Sequence, residues 1–232
     1  MALQKEVNEL KEMADILRVD SLKMTSEAGS GHPTSCLSCA DLVATLFFHE
    51  MRFDPSDAGN PENDEFVLSK GHAAAVYYSA LFRAGCIKDA LLSYRKISSH
   101  LEGHPIPFLE WVKVATGSLG QGLSVGLGMA LAAKLNKRKY RAFVLLGDSE
   151  IAEGEIYEAL QLASYYKLNN LCAIVDVNRL GQRGETMVGW NTDKYAKRFA
   201  SFGWEVKVIN GHNISQILSA LKKFRQTKKP FV

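Results

Sequence analysis

The chain has 232 residues, 47% of them hydrophobic, with 28 Lys and Arg against 25 Asp and Glu and a net charge of +3. That is enough apolar material for one sizeable core, so a single domain over residues 1–232 is expected. The small, scattered positive excess gives no reason to expect a nucleic-acid partner. No apolar stretch reaches bilayer-spanning length and the first residues are polar, which predicts a cytoplasmic protein with no membrane contact and no signal peptide.

Apolar residues at Val7, Leu10, Ala14, Leu17 and Met24 recur at helical spacing and predict an amphipathic helix over 5–28, stopped by Gly29. A mostly apolar helix over 36–51 follows, then a surface connection over 54–64 rich in Pro, Asp and Asn. Residues 65–69 read as a short strand leading into a helix that runs to about Ala84, with a shorter helix over 88–96 and a loop over 98–107. The glycine-spaced stretch 117–135 reads as a helix whose small residues (Gly122, Gly126, Gly128, Ala130) let another backbone approach. The basic cluster at 134–141 is a solvated helix end. Beyond residue 180 the pattern predicts a polar loop over 181–191, a helix over 192–202 and a strand over 204–209. A final helix runs to Arg225, opened by a capping-box-like pair, Asn213 and Gln216.

Cysteines stand at Cys36, Cys39, Cys86 and Cys172. The first two form a CxxC, but they follow Pro33 on a predicted helix and no second pair has metal spacing, so a packing role is expected. Cys172 falls inside a buried strand.

The strongest signal is a β-α-β unit. The apolar runs 140–146 and 170–177 read as buried parallel strands, and the helical pattern of 153–168 lies between them. A right-handed crossover puts both strand ends on one edge of the sheet, where ligands of open α/β sheets bind. Gly147-Asp148-Ser149-Glu150 follows the first strand and Asn178-Arg179-Leu180-Gly181-Gln182 follows the second. Asp148 and Asn178 offer a carboxylate and an amide oxygen to a hard divalent cation, leaving room for phosphate oxygens, as Mg²⁺ prefers. Taken singly, Gly-Asp is also a strand-ending turn and Asn178 also a cap. The alternation of strands and helices predicts an α/β fold with a parallel sheet covered by helices on both faces.

These residues resemble the thiamine diphosphate motif, Gly-Asp-Gly followed by Asn about thirty positions after the Asp. Gly29-Ser30-Gly31-His32-Pro33-Thr34-Ser35, Leu68-Ser69-Lys70-Gly71-His72-Ala73-Ala74, Glu102-Gly103-His104-Pro105 and Ala115-Thr116-Gly117-Ser118-Leu119-Gly120-Gln121-Gly122 extend the likeness. Together they resemble the transketolase family, in its own segment order and over nearly the whole chain, but only that family's first, diphosphate-binding domain. Ser149 departs from the family glycine.

The resemblance implies thiamine diphosphate as cofactor, with Mg²⁺, for which Ca²⁺ can substitute, held by Asp148, Asn178 and the Leu180 carbonyl. It implies cofactor contacts from Ser35, Lys70, His72, Gly117, Ser118, Leu119, Ser149, Asn178 and Gln182. His32, His72 and His104 would serve catalysis, each in a Gly-His setting where a neutral imidazole can give or take a proton near pH 7. Glu153 and Glu158 would join a proton network at a subunit boundary, although a solvated acidic helix face also accounts for them. The implied reaction is transfer of a two-carbon ketol unit from a ketose phosphate to an aldose phosphate. The carboxylic acid that activates the cofactor comes, in the family, from a pyrimidine-binding domain. The expected partner is therefore a C-terminal subunit carrying that domain, in a two-plus-two heterotetramer. Alternatives are the alpha subunit of a 2-oxo acid decarboxylase, a deoxyxylulose phosphate synthase, and a non-catalytic transketolase-like paralogue.

Overall fold

The computed structural model describes residues 2–232. In chain order its main elements are α1 (Ala2–Glu27), α2 (Pro33–Thr45), β1 (Glu65–Leu68), α3 (Ala74–Arg83), α4 (Gln121–Leu135), β2 (Ala142–Gly147), α5 (Gly154–Tyr165), β3 (Leu171–Asp176), β4 (Leu180–Gly181), β5 (Gly184–Glu185), α6 (Thr192–Ser201) and α7 (Ile214–Phe224). The chain divides into two compact units. One comprises residues up to Asn60 with Gly71–Gly117 and Ile209–Leu221; the other comprises Pro61–Lys70, Ser118–Val208 and Lys222–Val232.

The first unit is helical. Val7, Leu10, Ala14, Leu17 and Met24 of α1 are all buried, the face the spacing predicts. The helix ends where Gly29 takes φ +59°, with Gly29 N–H on Ser26 O at 3.1 Å and Ser30 N–H on Thr25 O at 3.2 Å, a glycine C-cap. Pro33 opens α2, where its missing N–H costs nothing, and a single π-turn (Leu46–Glu50) continues the helix predicted to reach residue 51. α1 is tied to α3 by Asp20, which accepts from Arg83 Nε and an Arg83 terminal nitrogen, both at 2.9 Å, and from Ser79 Oγ at 2.7 Å. The helix expected over 88–96 is only a 3₁₀ turn (Leu91–Ser93). Arg95 has φ +62° and gives its N–H to Leu101 O at 2.8 Å, so the backbone bonds to the following loop instead of to its own preceding turn.

The second unit holds a parallel sheet of order β1-β2-β3, with Glu65 opposite Ala142 and Gly147 opposite Asp176. Every residue of β2 is buried. Successive strand residues face opposite sides: Val144 lies against Gly126 of α4, and Phe143 meets Phe224 at a centroid distance of 5.6 Å on the other side. Helical cover on both faces is therefore observed. Gly122 and Gly126 have no room for a side chain, against Ser69 and Val144, whereas Gly128 has open space. The helix starts at Gln121 and not at Gly117, because Gly117 (φ +129°) and Gly120 (φ +93°) lie outside helical backbone. The strand expected over 204–209 reduces to a parallel bridge of Glu205 with Phe231, which itself bridges Cys172. Its ladder holds only to 230–232, through Glu205 N–H on Pro230 O at 2.9 Å and Lys207 N–H on Val232 O at 2.8 Å.

α7 opens as its sequence indicates, with Asn213 Oδ1 accepting Gln216 N–H at 3.1 Å. Gln216 then reaches Asn210 N–H at 2.9 Å, three residues upstream of the position a capping box would use. Among the described residues no helix is long and apolar enough to cross a membrane.

Candidate active site

In the sheet unit, the register that sets Gly147 opposite Asp176 brings Asp148 and Asn178 out at the same sheet edge. Asp148 is buried. Its Oδ2 accepts from Arg179 N–H at 2.8 Å and Thr186 Oγ at 3.0 Å, and its Oδ1 from Ser149 N–H at 3.1 Å. Asn178 is half-buried, accepting Leu180 N–H at 2.9 Å and donating to Asp176 Oδ2 at 3.4 Å. Leu180 begins the small β4-β5 hairpin, and Gln182 lies exposed in its turn. A cavity of about 250 Å³ opens beside Asp148 and Ser149, walled by Gly181, Arg183, Thr186 and Tyr195. Ser149 has φ −61° and ψ −38°, ordinary helical backbone, so a serine there carries no conformational strain.

Charge at this edge is unbalanced. Asp148, Glu150 and Asp176 are buried with one buried cation, Lys70, whose Nζ lies 2.5 Å from Asp176 Oδ2. Three carboxylates against one ammonium leave a net charge of −2 when all are ionised. Burial pushes both Asp148 and Glu150 above the ordinary carboxylate range, outweighing the hydrogen bonds that act the other way. A divalent cation would supply the missing countercharge, and the carboxylate and amide oxygens of Asp148 and Asn178 are donors of the kind that Mg²⁺ takes. Lys70 is thus tied into the protein. Lys70→Met is expected to lower stability by about 3–5 kcal/mol, because it leaves the Asp176 carboxylate buried without this countercharge; an unchanged denaturation midpoint would show that the pair contributes nothing.

Ser118 (exposed) and Leu119 (half-buried) form the turn just before α4. Glu153 is the residue before α5 and is exposed; a Cβ on Gly120 would lie 2.8 Å from its Cβ. Glu158 is exposed one turn further along α5.

In the helical unit, three candidate histidines come from three separate segments. His32 precedes α2, His72 lies in the 3₁₀ turn Gly71–Ala73, and His104 lies in the loop before Pro105. The rings of His32 and His72 meet edge-on at 5.2 Å. His104 lies against Gly117, where an added Cβ would fall 2.7 Å from the ring, and a Cβ on Gly71 would fall 2.7 Å from Gly117 N. Burial holds His104 below the ordinary imidazole range, and the positive charges of His32 and Arg95 push the same way. Ser35 is half-buried in the first turn of α2. By contrast, His49, His100 and His212 each face a carboxylate: Glu6 at 2.8 Å, Asp89 at 3.3 Å and Asp41 at 2.9 Å.

Sequence reasoning missed four participants. Asp176 had a usable signal, an acid ending an otherwise apolar buried strand. Glu150 closes the Gly-Asp-Ser-Glu run but suggested no role there. Thr186 sits in a polar loop with nothing local to single it out. Thr116 Oγ is buried and has no hydrogen-bond partner beside Gly71, a polar atom that a bound group would satisfy. No group of three His, Cys, Asp or Glu side chains forms a metal cage among the described residues, and all four cysteines are thiols.

The sheet and helices define a parallel α/β protein, a fold shared with solved transketolase structures. Transketolase from Campylobacter jejuni superposes with a TM-score of 0.90 at 35% identity, covering 96% of this chain and 36% of that one. Residues 9–232 match the family model described as "Transketolase, thiamine diphosphate binding domain". The chain belongs to the transketolase family, as its thiamine diphosphate-binding domain. Human transketolase is 49% identical over 219 residues, which are 94% of this chain but 35% of that protein. One subunit of the apulose-4-phosphate transketolase of Phocaeicola vulgatus is 37% identical over 225 residues, 97% of this chain and 80% of that relative. The chain thus spans about a third of the length of its animal relatives and most of a bacterial subunit.

Proposed function

We propose that residues 1–232 act as one diphosphate-binding domain, the N-terminal subunit of a split transketolase that passes a two-carbon ketol unit from a ketose phosphate to an aldose phosphate. The observation that carries the reading is the convergence of three imidazoles from three loops, in a chain whose family binds thiamine diphosphate. The match to a relative that is itself named as one subunit of its enzyme supports the split arrangement, with a partner bearing the pyrimidine domain in a heterotetramer.

Asp148, Asn178 and the Leu180 carbonyl would hold Mg²⁺, with Ser118, Leu119, Ser149 and Gln182 at the diphosphate. Lys70, paired with Asp176, would act on the cofactor by fixing the sheet edge. Ser35, His72 and Gly117 would meet the rest of the cofactor, and Glu153 and Glu158 would sit at a subunit boundary. When bound, thiamine diphosphate supplies the carbon nucleophile that takes up and releases the two-carbon unit. His32, His72 and His104 would orient the sugar oxygens and move their protons. His104, its affinity for a proton depressed, is mainly neutral at and above pH 6.5 and is ready to accept one. The acid limb it governs in kcat/KM should therefore lie below pH 6.5, the ordinary imidazole value.

His72→Ala and His104→Ala are expected to lower turnover by about 10²–10⁴-fold, the usual worth of a proton-transfer group, with a smaller loss of cofactor affinity. His49→Ala, which loses only a pairing with Glu6, should leave turnover near wild type. Equal losses in all three variants would reject this division of the histidines. The overall reading is tested by mixing the chain with a partner that carries the pyrimidine domain and assaying pentose phosphate with an aldose phosphate. Absence of transfer by a correctly assembled, cofactor-loaded complex would reject it.

A further inference from the structure

We infer that Glu150 is a positioning residue, a buried post that sets the spacing of three segments around the cation and diphosphate. The inference rests on the proposed cofactor site. Glu150 is fully buried, and its carboxylate takes three donors from three places in the sheet unit. Oε1 accepts from Ser69 Oγ, just after β1, and from Gly120 N–H, just before α4, at 2.8 Å; Oε2 accepts from Gly147 N–H, at the end of β2, at 3.0 Å. Each donor adjoins a residue assigned to the site: Ser69 precedes Lys70, Gly120 follows Ser118 and Leu119, and Gly147 precedes Asp148.

A carboxylate is the one side chain that presents two acceptor oxygens and no donor, so it alone satisfies all three at once. The packing leaves no slack. Gly122 presses its backbone on Ser69, and Gly120 approaches Glu153 too closely for a side chain of its own. These hydrogen bonds come at a cost. A buried carboxylate at an edge where Asp148 and Asp176 already outnumber Lys70 adds negative charge, so desolvation and repulsion offset part of what its three hydrogen bonds contribute. What the carboxylate provides is geometry, holding the turn before α4 and the loop after β2 at a fixed separation. Partners one shell behind a metal site commonly govern its affinity in this way.

The test uses the full chain assembled with its partner subunit, with Mn²⁺ as a paramagnetic probe titrated in the presence of thiamine diphosphate. Glu150→Ala should weaken Mn²⁺-dependent cofactor binding by about 10–100-fold, and Glu150→Gln, which keeps the shape and one acceptor, by about 3–10-fold. At saturating metal and cofactor, Glu150→Gln should regain turnover to within about threefold of wild type, a split that general destabilisation does not produce. Combining Glu150→Gln with Ser69→Ala should cost less than the product of the single effects, since both disturb one hydrogen bond. If Glu150→Ala fails to fold, Glu150→Gln and Ser69→Ala decide the matter. Binding within about twofold of wild type in both would overturn the inference, because outer-shell partners that position a site cost more than that. Failure of the wild-type complex to bind Mn²⁺ and thiamine diphosphate would instead remove the proposed site on which it rests.

Discussion

Asp148→Ala and Asn178→Ala are each expected to abolish Mg²⁺-dependent thiamine diphosphate binding, with affinity falling by more than about 100-fold, beyond the range seen for partners one shell further out. Asp148 is one of the three buried carboxylates that outnumber Lys70 at this edge, and Asn178 emerges there from the neighbouring strand. The variants should still fold. Removing Asp148 leaves Arg179 N–H, Ser149 N–H and Thr186 Oγ without their acceptor, at about 1–3 kcal/mol each if water cannot reach them, while relieving some like-charge repulsion. Cofactor titration followed by intrinsic fluorescence, alongside far-ultraviolet dichroism, separates the two effects. Full affinity in both folded variants would dismiss the metal assignment.

The 232-residue chain on its own is expected to show no ketol transfer and to gain it on addition of a pyrimidine-domain partner. Its family match is to the thiamine diphosphate-binding domain, and it spans about a third of the animal transketolases it resembles. The carboxylic acid that activates the cofactor belongs, in the family, to another domain. Activity should rise and saturate near equimolar partner as a larger species appears in sedimentation. Sustained turnover by the isolated chain would refute the split arrangement.

Much of the fold was legible because its elements obey simple periodicities. The buried face of α1 and the continuous apolar run of β2 could be read residue by residue. What the sequence hid were features decided by long-range pairing. Residues 88–96 have helical spacing, yet Arg95 bonds to Leu101 and the helix never forms. α4 starts at Gln121, beyond the Gly117 that its letters suggest, because two glycines with positive φ look, as letters, like any small helical residue. In the site, Asp148 and Asn178 were visible since a strand end followed by a polar residue is a local pattern. The Glu150 post was not, because its meaning depends on donors up to 81 positions away.

The place of Phe231 in the sheet bears on how this unit assembles. The strip around Glu205 pairs with 230–232, which in turn rest on Leu171 and Ala173 of β3. During synthesis, β1, β2 and β3 can pair as soon as residue 176 is free, but the flank of β3 stays open until more than fifty further residues have emerged. The nascent chain therefore carries an unpaired, largely apolar strand edge through that interval, the kind of surface that recruits chaperones or mispairs with neighbours. Residues 230–232 cover that flank, far downstream of the β-α-β segment from which Asp148 and Asn178 emerge.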